Sequence, residues 1–288
     1  MRHRTGNRQL SCEVRGAGPD LLFMHGLGAD RNQANRCLDS LDGFRVITLD
    51  LPGHGASPLS PRRSLEGQVS FSSYAEAVAD LLSSLDITTA TVGGISMGAG
   101  VALSLAVGAP GLVNGLLLIR PAWVDAPARP HLDLLADIGD WIADGGETTA
   151  RQHLVADPRF VEMNSSTPMC ANGLIETIAR PHVIMAPMVL AAMVDDRPYQ
   201  SGADLEQCRA PALVVSCEHD PLHPRWVADQ IEASLPNATG HIVPPRYLQP
   251  ERHTRAVADV IGSFVRERID PAMNDHPATT AATTGGPT

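Results

Sequence analysis

The apolar positions of this chain fall into short unbroken runs separated by stretches with helical spacing. Asp20–Met24 (DLLFM), Phe44–Asp50 (FRVITLD), Thr88–Gly93, Leu116–Ile119 and Ala212–Ser216 read as strands. Several carry no polar alternation, as expected of strands covered on both faces of a parallel sheet. Asn32–Leu41, Ser72–Leu85, the small-residue segment Gly98–Val107 and Val257–Val265 read as helices, and Ser72–Leu85 follows a serine cap. A further strand is expected at Thr239–Val243. The alternation of strand and helix predicts an α/β fold, a mostly parallel central sheet with helices on both sides.

Residues 121–204 break the pattern, with helix-like patches and no convincing strand. They are expected to form a helical cap insertion between core segments 1–120 and 205–269. The segment 270–288 (PAMNDHPATTAATTGGPT after Asp270) is small, polar and rich in Thr, Ala, Pro and Gly, and reads as a disordered tail. No internal repeat is present.

Composition narrows the function classes. The chain has 288 residues, 43% of them hydrophobic, enough for a sizeable core, and carries a formal net charge of −10. Such an acidic chain is expected to bind neither nucleic acid nor an anionic membrane surface. Nor does it favour small acidic substrates, unless a local basic patch overrides the average. Its five cysteines, Cys12, Cys37, Cys170, Cys208 and Cys217, are scattered and odd in number, which fits neither a disulfide framework nor a metal site. No apolar run follows the charged start, and none approaches the roughly 18 residues that span a bilayer. A cytoplasmic protein, monomeric or homodimeric, with a small-molecule substrate and no cofactor or metal, is the plain expectation.

The chemistry is concentrated in Gly93-Gly94-Ile95-Ser96-Met97-Gly98. G-x-S-x-G alone is a weak signal, but here a β-branched strand precedes it and a small-residue helix follows. A nucleophilic serine held on a sharp strand-to-helix turn needs such glycines, because a Cβ at either position would strike neighbouring backbone. The helix N-terminus then offers N–H groups to a developing oxyanion.

A second signal, His25-Gly26-Leu27-Gly28, follows the first apolar strand. With Asp50-Leu51-Pro52-Gly53-His54-Gly55-Ala56-Ser57 and Leu213-Val214-Val215-Ser216-Cys217-Glu218-His219-Asp220-Pro221, it completes four motifs in which the chain resembles the α/β-hydrolase superfamily, over residues 20–120 and 205–265. The resemblance implies Ser96 as nucleophile, Asp220 as the triad acid with Glu218 as fallback, and an oxyanion hole from the backbone amides of Leu27 and Met97. His25, Gly26, Ile95 and Trp123 are expected at the substrate.

The histidine departs from the usual pattern. Relatives place a Gly-His pair after the last strand; here Gly240-His241 falls inside it, and Pro250-Glu251-Arg252-His253 opens the final helix. His253 is the favoured catalytic histidine, with His241 the alternative. His54 is expected to shape a loop and His25 to brace the oxyanion turn. His219 and His223 flank Asp220 without metal-ligand geometry.

A serine rather than an aspartate at the elbow disfavours epoxide and halide chemistry. An ester, thioester or lactone of a small, apolar acyl group is the expected substrate. Five of the nine methionines, with Trp123, Trp141 and Phe160, suggest a pliable acyl pocket, although a self-packing helical core fits them equally. An acyltransferase or cyclase, and a non-catalytic ligand-binding protein, are the alternatives on the same scaffold.

Overall fold

Apolar runs without alternation can be satisfied only where both faces of a strand are covered, and this decides the architecture. The computed structural model describes residues 2–269 apart from 6, 7, 40, 62, 66 and 129. Residues 270–288, where a tail is expected, lie outside the described residues.

The chain opens with an antiparallel pair, β1 (Arg2–Thr5) and β2 (Arg8–Arg15), followed by β3 (Asp20–Met24), α1 (Arg31–Cys37), β4 (Arg45–Asp50) and α2 (Phe71–Ser84). Next come β5 (Ala90–Ile95), α3 (Met97–Gly108) and β6 (Val113–Ile119). An all-helical stretch follows: α4 (Asp133–Ala156), α5 (Pro158–Ser166), α6 (Pro168–Ile178), α7 (Pro181–Met185), α8 (Met188–Val194) and α9 (Gly202–Leu205). The chain then returns to the sheet with β7 (Ala212–Cys217), α10 (Arg225–Ser234), β8 (Ala238–Val243) and α11 (Pro250–Phe264). α4 is broken at Gly146, whose φ of 76° interrupts the helix.

The eight strands form one sheet in the order β1-β2-β4-β3-β5-β6-β7-β8, with β4 through β8 parallel and only the β1–β2 and β2–β4 pairs antiparallel. β5 and β7 are buried along their whole length, as their uninterrupted apolar sequences require. One core layer, with Leu22, Val92, Leu116 and Val214, packs under α2 and α3. The other, with Phe23, Leu117, Val215 and Ile261, packs under α1 and α11.

The strands and helices expected from periodicity are present, with ends shifted by a few residues at most except for α11, which begins at Pro250 rather than Val257. The β1–β2 pair has no counterpart in the sequence pattern. In β2, Leu10, Ser11 and Cys12 are all buried, so no clean alternation marks it as a strand. Its Ser11 N–H is held by the Ser57 hydroxyl, 46 residues away.

Candidate active site

Three strand ends and one helix start converge on a single cavity. At the end of β5, Ser96 has φ 55° and ψ −112°, backbone that an L-residue adopts only under strain. The turn is possible because its neighbours lack side chains. A Cβ on Gly94 would stand 2.6 Å from the Gly98 backbone, and one on Gly98 would stand 2.6 Å from the Met24 carbonyl oxygen. The Ser96 N–H is pinned to the Ile119 carbonyl of β6 at 2.9 Å. The serine thus stands on the N-terminus of α3, where the helix dipole favours negative charge.

The turn after β3 lies against it: a Cβ on Gly26 would touch the Ser96 Cβ at 3.4 Å. This turn is held from four sides. The Gly26 N–H donates to Gln33 Oε1 of α1 at 2.8 Å. His25, wholly buried, donates from Nδ1 to the Gly26 carbonyl, and its Nε2 accepts from the Leu51 N–H at 3.0 Å. The Gly28 N–H donates to His54 Nε2. The Gly28 carbonyl accepts from Arg180 and from His182 of the helical insertion. Among the described residues, no acceptor takes the N–H of Leu27 or of Met97.

The cavity has a volume of about 850 Å³, and Ser96 lines it together with Gly26, Leu27 and Ile95. From the insertion come Leu132, Leu135, Met169, Cys170 and Leu174; from the loops after β7 and β8 come His223, Arg246 and Tyr247; and α11 adds His253. Two of the expected substrate residues are therefore placed at the cavity, Gly26 and Ile95, and two are not. His25 is fully buried beneath the turn that it braces. Trp123 is 1% exposed, sits edge-to-face on Phe71 with centroids 5.3 Å apart, and donates Nε1–H to the Met193 carbonyl at 3.0 Å. Its indole, expected in the acyl pocket, belongs instead to the joint between insertion and sheet. Phe160 and Met193 likewise pack in the core.

Asp220 lies at the end of β7, behind the cavity wall, with a fully buried side chain. One carboxylate oxygen takes Arg120 Nη1 at 2.7 Å, and the other takes His223 Nδ1 at 2.9 Å and the Leu222 N–H at 3.2 Å. Burial opposes its charge, but His223 and Arg120 together hold the carboxyl well below the usual carboxylate range. The expected partner, His253, is buried near the start of α11, and its Nδ1 donates to the Pro244 carbonyl at 2.8 Å. Burial lowers this imidazole to about 4. No hydrogen bond joins Asp220 to His253, and none joins Ser96 Oγ to a histidine, among the described residues. His241 is exposed on edge strand β8 and does not line the cavity.

Three residues that the sequence reading did not single out, Arg120, Arg246 and Tyr247, stand at this site. Arg120, also in left-handed backbone (φ 47°), closes β6 and is 4% exposed, and its Nε has no partner among the described residues. Arg246 faces Arg120 closely enough that the like charge is the main cause lowering its pKa. Tyr247 and Cys170 line the cavity together. The one sequence signal for them was their charge or ring next to strand ends. Burial pushes the Cys37 and Cys170 thiols up to about 12, so neither is a thiolate at neutral pH. Among the described residues, no group of three or more His, Cys, Asp or Glu stands ready to hold a metal. No helix among them is long and apolar enough to cross a membrane.

The buried histidines set an acid limit on stability. Burial lowers His25 to about 4 and His54 well below its ordinary value. In the unfolded chain both titrate near 6.5, so the unfolded state takes up protons first as pH falls. Stability is therefore undiminished above about pH 6.5 and is lost progressively towards pH 4. Urea midpoints measured from pH 7.5 to 4.5 are expected to fall less steeply in His25→Gln, whose amide preserves both hydrogen bonds. An unchanged slope would assign the acid loss to other groups.

The fold and this elbow define the class, and direct comparison agrees. The Alpha/beta hydrolase family model matches residues 21–260, and the chain belongs to that family. It is 31% identical over 240 residues to the pimeloyl-(acyl-carrier protein) methyl ester esterase of Chromobacterium violaceum, covering 80% of this chain and 87% of that one. It is 28% identical over 244 residues to the enzyme of the same name from Nitrosomonas europaea, covering 80% and 88%. Among solved structures, MGS-M2, an alpha/beta hydrolase enzyme from a Medee basin deep-sea metagenome library, superposes with a TM-score of 0.70 at 17% identity, covering 91% of this chain and 97% of that one.

Proposed function

We propose that this protein is a serine hydrolase that cleaves a carboxylic ester through an acyl-enzyme on Ser96. The observation that carries the reading is the strained Ser96 on the α3 N-terminus, opening on a cavity of about 850 Å³. The names of the full-length relatives, methyl ester esterases, favour an ester over other acyl bonds. Ser96 Oγ attacks the ester carbonyl and loses its proton to an imidazole. The oxyanion sits between the Leu27 and Met97 amides, the alcohol leaves, and water releases the acid. Three imidazoles, His182, His223 and His253, share the cavity with Ser96; His182 donates its Nε2–H to the Gly28 carbonyl, whereas the His223 and His253 rings each have an Nε2 without a partner among the described residues. Asp220 supplies the buried negative charge. Removing one oxyanion donor typically costs about 3–4 kcal/mol of barrier, so the bracing of the Gly26–Gly28 turn bears directly on rate.

Fluorophosphonate labelling with intact-mass detection tests this reading. One adduct on the wild-type chain, mapped to Ser96, supports it. An unlabelled, folded protein would point instead to a non-catalytic ligand-binding role.

The cavity wall also bears on the substrate. Among the described residues, Arg36, Arg120, Arg180 and Arg246 line it against the carboxylates of Asp30 and Glu176 alone, a local basic patch in a chain of net charge −10. Leu27, Ile95, Leu132, Leu135, Met169 and Leu174 supply an apolar share of the same lining. A substrate with an aliphatic acyl chain and a carboxylate fits this lining. A charge-assisted hydrogen bond contributes about 1.5–3 kcal/mol. A dicarboxylic acid half-ester is therefore expected to exceed the neutral diester of equal length by roughly 10-fold or more in kcat/KM, with Arg246→Ala abolishing the preference. Equal rates for the two esters would remove the carboxylate from the proposal.

A further inference from the structure

We infer that His223, paired with Asp220, is the general base that activates Ser96, in place of a histidine after the last strand. This rests on the serine-hydrolase reading above and names a catalytic residue within it. The observation is one of pairing. Of the three histidines that line the cavity with Ser96, only His223 is bonded to a carboxylate, Nδ1 to Asp220 Oδ1 at 2.9 Å, while His182 donates to the Gly28 carbonyl. His253 Nδ1 is committed to the Pro244 carbonyl.

The pairing fixes the tautomer. Arg120 Nη1 at 2.7 Å on the other carboxylate oxygen keeps Asp220 ionised, so the carboxylate can only accept. His223 Nδ1 must therefore carry the proton and donate it. Arg120 Nη1, 3.4 Å from the same nitrogen, cannot donate to it as well. Nε2 is left as the bare, basic nitrogen. The ring is 8% exposed and lines the cavity that Ser96 lines. Asp220 holds the Nδ1 edge from behind the wall, so Nε2 is on the cavity side. This is the arrangement that a triad acid provides: it sets the tautomer, aims the ring and stabilises the imidazolium.

A carbonyl also fixes a tautomer, as Pro244 does for His253, but a neutral acceptor stabilises the imidazolium less than a buried carboxylate does. The fold explains why the pair is so local. Asp220 and His223 lie three residues apart on the loop after β7, and Leu222 N–H and Arg120 clamp the carboxylate between them. The loop after β8, where the relatives' pattern puts a histidine, presents Arg246 and Tyr247 to the cavity instead.

The step balances within the site. As Ser96 Oγ bonds to the ester carbon, its proton passes to His223 Nε2, and the carbonyl π pair moves to the oxyanion. Collapse breaks the carbon–alkoxide bond, and the His223 imidazolium returns the proton to the leaving oxygen. Water repeats the cycle on the acyl-enzyme and releases the acid.

The test compares His223→Gln, His223→Ala, His253→Ala and the exposed-strand control His241→Ala. Each is assayed for p-nitrophenyl ester turnover, fluorophosphonate labelling rate and thermal melting. The amide introduced by His223→Gln keeps an N–H for Asp220 and so preserves the fold without a base; where alanine lowers the melting point, the glutamine variant decides. His223→Gln is expected to lose about 1000-fold or more in kcat with KM little changed, His253→Ala at least 100-fold less than that, and His241→Ala nothing. Added imidazole is expected to restore part of the turnover of His223→Ala, which a merely structural role would not allow. A labelled wild type with His223→Gln as active as His241→Ala, or with the large loss at His253 instead, would overturn the pair alone. A wild type that neither labels nor turns over esters would overturn the hydrolase reading itself and the pair with it.

Discussion

Ser96→Ala is expected to abolish covalent labelling and to lower ester turnover by at least about 10⁴-fold while leaving the fold intact. The size follows from what is removed. Without Oγ no acyl-enzyme forms, and only the oxyanion turn and the cavity remain to assist direct attack by water. The intact fold follows from what is kept. Alanine retains the Cβ, so the strained φ of 55° is unchanged, and the Ser96 N–H to the Ile119 carbonyl is a backbone bond. Melting curves of the two proteins should superpose within about 0.5 kcal/mol, the usual scatter of substitutions that break no packing. An alanine variant that labels, or that turns over esters within 10-fold of wild type, would place the nucleophile elsewhere.

The second large effect concerns stability. Trp123→Ala is expected to destabilise the protein by about 3–5 kcal/mol and to lower its melting point by roughly 10 °C, with little change in the rate of Ser96 labelling below the transition. Trp123 is fully buried just after β6, where the chain leaves the sheet for the insertion. Its loss vacates the space against Phe71 of α2 and leaves the Met193 carbonyl of α8 without its indole donor. Both contacts tie the insertion to the sheet. If Trp123→Ala instead melted like wild type and lost activity on longer acyl esters, the indole would be an acyl-pocket residue after all.

Much of the site was legible before folding because its requirements are local. A serine on a strained turn needs Gly94 and Gly98, since a Cβ on either would come within 2.6 Å of backbone. The strand before it and the small-residue helix after it are contiguous in the chain. The His25–Gly28 turn and Asp220 were legible for the same reason, each following an apolar strand that had to be buried in a parallel sheet. The loop-shaping role expected of the Asp50–His54 segment is also seen. The Asp50 carboxylate accepts from the Arg31 and Ala56 backbone N–H groups, and His54 accepts from Gly28.

Other features needed the tertiary structure. Trp123 is a large apolar residue beside an apolar insertion, and sequence spacing does not say whether such a ring faces a cavity or a core. Packing against Phe71, 52 positions earlier in the chain, decides it. The four arginines of the cavity lining were hidden because they come from α1, the end of β6, the insertion and the loop after β8, and a net charge of −10 averages them away.

By itself, then, the sequence determined the family, the order of the core strands and helices from β3 onward and the position of the strained serine turn, because these follow from short-range backbone sterics and from strands that must be covered on both faces. Only the tertiary structure decided which histidine meets Asp220. That contact depends on where two separate loops come to rest over the same strand ends, and here the loop after β7 brings its own histidine to within 2.9 Å of the carboxylate, while His253 is held by the Pro244 carbonyl.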